Sequence, residues 1–173
     1  MMLTLVTPHW RLSSVLELRA ADLRRRGLDG LLLDLDCTLK DYRAEVLDPA
    51  VLAWAAALRA EGIRLCLLSN GRPAKVGAFA AALGIPGVSR AFKPLPFGCR
   101  AALRALGLDR TRAALVGDQI FADVLAGRLA GLTTILVPPT SPDEPWFTRL
   151  KRPLERRLLR RLDGRRPADP AAP

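Results

Sequence analysis

The most constraining feature of the chain is an apolar run that leads directly into two carboxylates and a threonine. Residues 30–34 read Gly-Leu-Leu-Leu-Asp, and Asp36 and Thr38 follow at alternate positions. Such a run predicts a strand buried on both faces, as in a parallel sheet covered by helices. On an extended chain, Asp34 and Asp36 would point to the same side. This pair of carboxylates predicts either a hard cation bound between them or a reacting group with its acid/base beside it. The alternative is that both aspartates are solvated at the end of a strand.

Further apolar runs alternate with helical patterns along the chain, and residues 8–26 predict an amphipathic helical lead-in capped by Ser13 or Ser14. The alternation with short turns predicts an α/β fold, a parallel sheet with helices on both faces. Ligands of such sheets bind beyond the carboxyl ends of the strands. Beyond the first strand, at 30–34, strands are predicted at 63–68, 88–92, 113–116 and 133–137, and helices at 48–62, 73–84, 95–106 and 121–129.

Chemically active side chains follow four consecutive strands of this predicted sheet. Carboxylates at strand ends are suited to Mg²⁺, and a lysine is suited to neutralising a phosphoryl oxygen. Hydroxyl groups add hydrogen bonds to the same oxygens, so the set predicts phosphoryl transfer. The residues are Asp34, Asp36 and Thr38 after the first strand, Ser69 and Asn70 after the second, Lys93 after the third, and Asp118 and Asp123 around the fourth.

The order and spacing of these residues resemble a known family. Residues 34–38 (Asp-Leu-Asp-Cys-Thr), Ser69, Lys93 and residues 117–123 (Gly-Asp-Gln-Ile-Phe-Ala-Asp) resemble the four motifs of the haloacid dehalogenase-like (HAD) superfamily. More narrowly, residues 8–157 resemble the YqeG-like phosphatases of subfamily IIIA, a group that includes phosphatidylglycerophosphate phosphatases. The resemblance implies a HAD-like Rossmannoid fold and Mg²⁺-dependent hydrolysis of a phosphate monoester through an aspartyl-phosphate. Relatives commonly carry Asn at positions 37 and 71 and Thr at position 122, where this chain has Cys, Gly and Ala.

The resemblance also implies a role for each motif residue. Asp34 would be the nucleophile, and Asp36 would protonate the leaving oxygen and later activate water. Asp34, the backbone carbonyl of Asp36, and Asp118 would hold Mg²⁺. The other motif residues would bind the phosphoryl group (Thr38, Ser69, Asn70 and Lys93) or support the metal site and orient the lysine (Asp123).

Motif spacing predicts that the fold has no separate cap domain. About thirty residues separate Thr38 from Ser69, and the gap from Ser69 to Lys93 is shorter. Domains are rarely smaller than about 50 residues, so neither gap is long enough for one. We therefore expect an open site, which suits a bulky, polymeric or membrane-bound phosphate ester.

The formal net charge of +10 is concentrated near the C-terminus. Residues 149–166 contain nine Lys or Arg against two acids, and four leucines recur there at helical spacing. We expect residues 1–148 to form the phosphatase domain and residues 149–173 a basic helix and tail. The helix could pack its leucines on the domain, lie on an anionic membrane, or bind nucleic acid. The absence of an aromatic platform beside the arginines disfavours nucleic acid.

Composition predicts a cytoplasmic protein. Peripheral contact of residues 149–166 with the inner face of the membrane is a further possibility that the sequence leaves open. No apolar run approaches the roughly 20 residues of a membrane span, and residues 1–6 do not resemble a signal peptide. The cysteines at 37, 66 and 99 lack metal-ligand spacing and predict reduced thiols. The only histidine, His9, is interpreted as a surface or packing residue.

Three other functions remain open from the sequence. The first is a phosphatase of a soluble metabolite or nucleotide. The second is a phospho-accepting module like a receiver domain, which is disfavoured because no aspartate follows residues 88–92 directly. The third is a nucleic-acid or ribosome-associated protein that uses the arginine-rich tail.

Overall fold

The computed structural model describes residues 2–143 and 152–163. The chain divides into two compact units, Met1–Asp143 and Glu144–Pro173. The first unit contains the sheet, and the second contains helix α7 (Arg152–Asp163). The predicted domain boundary, between residues 148 and 149, lies outside the described residues. The same holds for parts of the predicted basic segment, residues 149–151 and 164–173. The roles expected of that segment therefore remain predictions.

The first unit is built on a sheet of six strands in the order β1-β6-β5-β2-β3-β4. Every neighbouring pair is parallel, which confirms the predicted α/β class. Central strands β2, β3 and β5 bring their carboxyl ends to one edge. The strands are β1 (Trp10–Arg11), β2 (Gly30–Leu33), β3 (Arg64–Leu68), β4 (Gly87–Val88), β5 (Ala113–Gly117) and β6 (Thr133–Leu136).

Helices connect these strands, and their ends follow local sequence signals. The side chain of Asp48 accepts a hydrogen bond from the Ala50 amide, with Pro49 in the first turn of the helix. Gly84 ends another helix in the left-handed conformation, at φ 63°. The helices are α1 (Met2–Leu5), α2 (Ala20–Arg25), α3 (Pro49–Ala60), α4 (Pro73–Leu83), α5 (Phe97–Leu106) and α6 (Leu125–Ala130).

The sheet separates two apolar cores because side chains alternate along each strand. In β2, Leu31 and Leu33 belong to the core that includes α3 and α4, whereas Leu32 belongs to the core that includes α5 and α6. All three leucines are fully buried. Burial on both faces explains why the strand reads as a continuous apolar run.

Two sequence predictions about secondary structure are wrong. The helical lead-in at residues 8–26 is interrupted: it contains strand β1, a short 3₁₀ turn at Val15–Glu17 capped by the Ser14 side chain, and helix α2. The strand predicted at residues 88–92 stops at Val88. Arg90 and Phe92 have φ of 46° and 55°, so the backbone turns out of the sheet.

The connections at the carboxyl edge are short. Within the described residues, one helix, α3, lies between β2 and β3, and one helix, α4, lies between β3 and β4. No separate cap domain is inserted in this part of the chain, as the motif spacing predicted. No helix among the described residues is long and apolar enough to span a bilayer.

Candidate active site

Asp34 follows β2 directly and begins the site. Its amide donates a hydrogen bond to the carbonyl of Val116 at 2.9 Å, which fixes it beside the end of β5. Carboxylate oxygens of Asp34, Asp118 and Asp123 all lie within 4.8 Å of one another, and all three residues are buried. The Thr38 hydroxyl lies 3.1 Å from Asp34 Oδ2 and 3.2 Å from Asp118 Oδ1, so its single proton can go to either.

Lys93 enters this cluster from the loop after β4. Its ammonium nitrogen lies 2.5 Å from Asp34 Oδ1, 2.6 Å from Asp123 Oδ1 and 3.2 Å from the Leu68 carbonyl oxygen. Burial alone would lower the pKa of Lys93, but Asp123 and Asp34 raise that pKa above its usual range. Lys93 is therefore a permanent cation between two carboxylates.

The buried carboxylates leave an excess of negative charge. Burial raises the pKa of Asp34 from 3.8 to about 6; Lys93 opposes this rise and Asp123 adds to it. Three buried carboxylates surround an ammonium group that contacts two of them, so the cluster favours a further cation. Hard carboxylate oxygens at this separation are the ligands that Mg²⁺ prefers.

Asp123 is placed by an unusual turn and by a missing side chain. The residue lies in a π-helical turn, Ile120–Val124, and its Oδ2 accepts a hydrogen bond from the Gln119 amide at 3.0 Å. Turns of this kind occur often at functional sites. A Cβ at Gly117 would lie 2.2 Å from Asp123 Cγ, so glycine at this position leaves the space that the carboxylate occupies.

Asn70 holds the backbone of Lys93 rather than pointing to the carboxylates. Its Nδ2 donates to the Lys93 carbonyl at 3.1 Å, and its Oδ1 accepts from the Lys93 amide at 2.8 Å. The buried Ser69 hydroxyl accepts a hydrogen bond from the Gly71 amide at 3.0 Å. The structure therefore shows a positioning contact for Asn70, and phosphate binding by Ser69 and Asn70 remains a prediction.

The Asp36 carboxylate has different lysine partners from the Asp34 carboxylate, which contacts Lys93. Leu33 and Leu35 lie in the same core, and Cys37, at φ 64°, turns the chain only after Asp36, so the expected common side of Asp34 and Asp36 stays a prediction. The Asp36 carboxylate contacts Lys75 at 2.8 and 3.0 Å and Lys40 at 2.9 Å. The roles of Asp36 as acid/base and as a metal ligand through its backbone carbonyl remain predictions.

The comparison with known proteins agrees with this geometry. A family model described as haloacid dehalogenase-like hydrolase matches residues 5–131. The chain is also similar to a Bacillus subtilis protein named "Probable phosphatase YqeG", with 31% identity over 155 residues and 90% of each chain covered. The chain belongs to the haloacid dehalogenase-like hydrolase family. Within this family it is a phosphatase.

More distant relatives cover the same region of this haloacid dehalogenase-like phosphatase. The Arabidopsis thaliana protein "Phosphatidylglycerophosphate phosphatase 1, chloroplastic/mitochondrial" is 28% identical over 179 residues, which are 95% of this chain and 51% of the plant protein. This chain therefore matches about half of that protein's length. The cobalt-bound deoxy-D-mannose-octulosonate 8-phosphate phosphatase of Haemophilus influenzae has a TM-score of 0.54 at 16% identity, covering 78% of this chain and 89% of that one. An uncharacterised Listeria monocytogenes protein has a TM-score of 0.52 at 18% identity over 78% of this chain and 99% of its own. These two structures show a shared fold.

A divalent cation of the kind that haloacid dehalogenase-like phosphatases use fits the carboxylate cluster. The three carboxylates supply hard oxygen ligands, and the cluster carries more negative charge than Lys93 offsets. Asp34 and Asp118 would hold the cation, and Asp123 lies within the same 4.8 Å limit although the sequence assigned it a supporting role.

Sequence reasoning missed two lysines of the site, Lys40 and Lys75. Lys40 is buried, and its ammonium contacts the Asp36 carboxylate and the backbone carbonyls of Asp41 and Tyr42. The sequence signal that could have identified Lys40 was its position, since it is a cation four residues after Asp36. Lys75 lies in the first turn of α4, where the helix dipole disfavours a cation. A lysine at this unfavourable position was the sequence signal that could have identified it.

Proposed function

We propose that this phosphatase hydrolyses phosphatidylglycerophosphate in a Mg²⁺-dependent reaction through an aspartyl-phosphate at Asp34. The observation that supports the reaction is the buried contact between Asp34 and Lys93, at 2.5 Å, within a cluster of three carboxylates. An aspartate held at a strand end beside a permanent cation is suited to attack a phosphorus atom that carries negatively charged oxygens.

In the first step, a carboxylate oxygen of Asp34 forms a bond to phosphorus while the ester P–O bond breaks. Asp36 donates a proton to the leaving alkoxide. Lys93 offsets negative charge on the phosphoryl group and on Asp34, and Thr38 holds the carboxylate through its hydroxyl group. Mg²⁺ held by Asp34 and Asp118 would neutralise charge on a phosphoryl oxygen.

In the second step, water replaces Asp34 on phosphorus. Asp36 accepts a proton from the water as its oxygen attacks, and the bond from phosphorus to the Asp34 oxygen breaks to release phosphate. The Asp36 side chain is 24% exposed, so water reaches it, whereas Asp34 is nearly buried. This difference in exposure is compatible with a shielded nucleophile at Asp34 and with proton exchange between Asp36 and water.

The choice of a lipid substrate is supported by two separate observations. The curated plant relative carries phosphatidylglycerophosphate phosphatase in its name. The connections after β2 and β3 contain one helix each in the described residues, so no inserted domain covers the carboxyl edge of the sheet. The lack of an inserted domain in this part of the chain is compatible with a headgroup that remains attached to a bilayer or micelle.

The test is phosphate release with Mg²⁺ or with a chelator across a matched set of esters. We expect turnover of phosphatidylglycerophosphate in mixed micelles to exceed turnover of glycerol 3-phosphate, sugar phosphates and nucleoside monophosphates, and to stop with chelator. Turnover confined to soluble esters would reject the lipid substrate but keep the reaction. Undiminished turnover after removal of divalent cations would reject the Mg²⁺ dependence.

A further inference from the structure

Exposed apolar side chains are concentrated beside the candidate active site. Among the described residues, eight large apolar side chains are exposed, and three of them lie within six residues around Lys93. Phe92, Leu95 and Phe97 are 64%, 49% and 59% exposed. We refer to residues 90–97 as the apolar loop. Single exposed apolar residues are common, but three in one short loop indicate a contact surface.

The backbone of the apolar loop is fixed, and it holds Phe92 in an unfavourable conformation. The Ala91 amide donates to the Ser69 carbonyl and the Arg90 amide donates to the Gly71 carbonyl, each at 3.1 Å. Phe92 has φ of 55°, a conformation that is rare for a bulky side chain. Strain of this kind persists where a function requires it, because stability alone would select against an exposed aromatic side chain on a strained backbone.

The segment of the chain that contains the apolar loop carries positive charge. Residues 84–108 contain Arg90, Lys93, Arg100 and Arg104 but no Asp or Glu. The three arginines are exposed, whereas Lys93 is buried in the site. A segment that combines exposed apolar side chains with exposed arginines and has no acids matches the interface of an anionic bilayer, where acyl chains lie below negatively charged headgroups.

We propose that the apolar loop is a membrane-docking surface, which inserts Phe92, Leu95 and Phe97 into the interface of an anionic bilayer. A second protein is a poorer match, because these side chains expose roughly 300 Å² together, whereas a stable protein interface takes about 800 Å² from each partner. A bilayer needs only a few inserted side chains and the attraction of nearby cations.

This inference deepens the proposed function, on which it rests for the lipid substrate. Lys93 lies inside the apolar loop, and its ammonium contacts Asp34. Docking of the loop would therefore bring the edge of the sheet that carries Asp34 to the level of the headgroups. A phosphate monoester at the membrane surface would reach Asp34 without leaving the bilayer.

The experiment is sedimentation of the full chain with vesicles of phosphatidylcholine, with and without phosphatidylglycerol, in the presence of a chelator. The variant F92N/L95Q/F97Q removes the apolar contacts, and Asn is chosen because it tolerates the left-handed backbone. The matched control is L129Q, since Leu129 is 42% exposed on α6, outside the apolar loop. We expect the triple variant to lose anionic-vesicle binding by at least about tenfold, and the control to bind like the wild type.

A second variant, R90Q/R100Q/R104Q, keeps the apolar side chains and removes the charge. We expect it to bind more weakly and to lose most of the salt dependence of binding. Turnover of a small soluble phosphate ester reports whether each variant is folded, and we expect it to stay at the wild-type level. If the triple variant does not fold, the charge variant and single L95Q decide the question.

Absence of binding by the wild type overturns the proposal. Full binding by the triple variant also overturns it, because another part of the chain, such as the basic helix α7, would then supply the binding. A shift of the wild type to a dimer that the triple variant does not form, without vesicle binding, also overturns it. The vesicles contain no phosphate monoester, so binding is independent of turnover. Vesicle binding without lipid hydrolysis would reject the lipid substrate and support the docking surface. Lipid hydrolysis in micelles without vesicle binding would support the lipid substrate and reject the docking surface.

Discussion

Lys93 donates a hydrogen bond to Asp123 at 2.6 Å, and this contact helps to hold the ammonium group against Asp34. Both residues of the pair are buried, and neither is adjacent in sequence to the other or to Asp34. Breaking a buried ion pair leaves a charge without a partner in a medium of low polarity. The stability of the site and its chemistry therefore depend on the same lysine.

We expect Lys93→Met to lower the free energy of unfolding by about 3–5 kcal/mol, because it leaves Asp34 and Asp123 buried without their cation. The matched control is Lys75→Met, which removes a lysine paired with Asp36 at a site where both side chains are partly exposed. An ion pair of that kind contributes about 1 kcal/mol or less. Urea denaturation of the two variants in chelator checks the difference, and equal losses would show that burial does not control the strength of these pairs.

Gly117→Ala tests how Asp123 is positioned. The added methyl group would overlap the Asp123 side chain, 2.2 Å from Cγ, so either the carboxylate or the strand must move. We expect a loss of about 1–3 kcal/mol in stability, together with weaker binding of Mg²⁺ and slower phosphate release.

The control for that variant is Gly77→Ala on α4, where an added Cβ meets nothing within 4 Å. This change replaces a glycine inside a helix and is expected to stabilise the protein by about 0.5–1 kcal/mol. Thermal unfolding and calorimetric titration with Mg²⁺ measure both variants. Wild-type Mg²⁺ binding by Gly117→Ala would show that cation binding does not depend on glycine at this position.

Asp34→Asn is expected to abolish the reaction while the fold remains intact. The amide has nearly the shape of the carboxylate but is a poor nucleophile, so phosphate release should fall by about a thousandfold or more. In the metal-free protein above about pH 7, unfolding temperature should not decrease, because the variant removes one of three crowded carboxylates.

The control for the nucleophile is Asp143→Asn, since Asp143 is exposed and lies outside the cluster. It should leave both the rate and the unfolding temperature unchanged. Mass spectrometry is required to show that the amide introduced by Asp34→Asn has not deamidated back to the carboxylate. Substantial turnover by the Asp34→Asn protein with its amide intact would disprove the aspartyl-phosphate mechanism.

The stability of the metal-free protein is expected to depend on pH through Asp34. The folded pKa of about 6 lies above the ordinary value of 3.8, so this group contributes stability below pH 3.8 that is lost as the pH rises through about 6. Mg²⁺ competes with that proton for the carboxylate. Its stabilising effect should therefore be larger at about pH 7.5 than at about pH 5.

Differential scanning calorimetry with Mg²⁺ or chelator at the two pH values measures this difference. In Asp34→Asn the difference should become much smaller, because the titrating group is absent. A Mg²⁺ effect of the same size at both pH values in the wild type would contradict the assignment of Asp34 as a cation ligand.

Much of the fold followed from short-range patterns in the sequence. The apolar runs predicted β2, β3, β5 and β6, because a strand covered on both faces requires a continuous apolar stretch. Strand β1 was missed because a strand of two residues, Trp10 and Arg11, exists only through its pairing with β6. Strand β4 was predicted to be too long. It ends early because Arg90 and Phe92 adopt left-handed conformations in a segment that is held by hydrogen bonds to residues 69–71.

The class of fold, the family and the edge of the sheet at which the motif residues gather could be predicted from local patterns and motif spacing, since parallel strands end on one side. The contacts between individual side chains could not be predicted in this way. Tertiary structure paired Asp36 with Lys40 and Lys75, used Asn70 to hold Lys93, brought Asp123 into the carboxylate cluster, and exposed Phe92 beside the site. The physical reason is that side-chain contacts depend on where turns end and on which positions lack a Cβ, and these are set by packing between segments far apart in the chain.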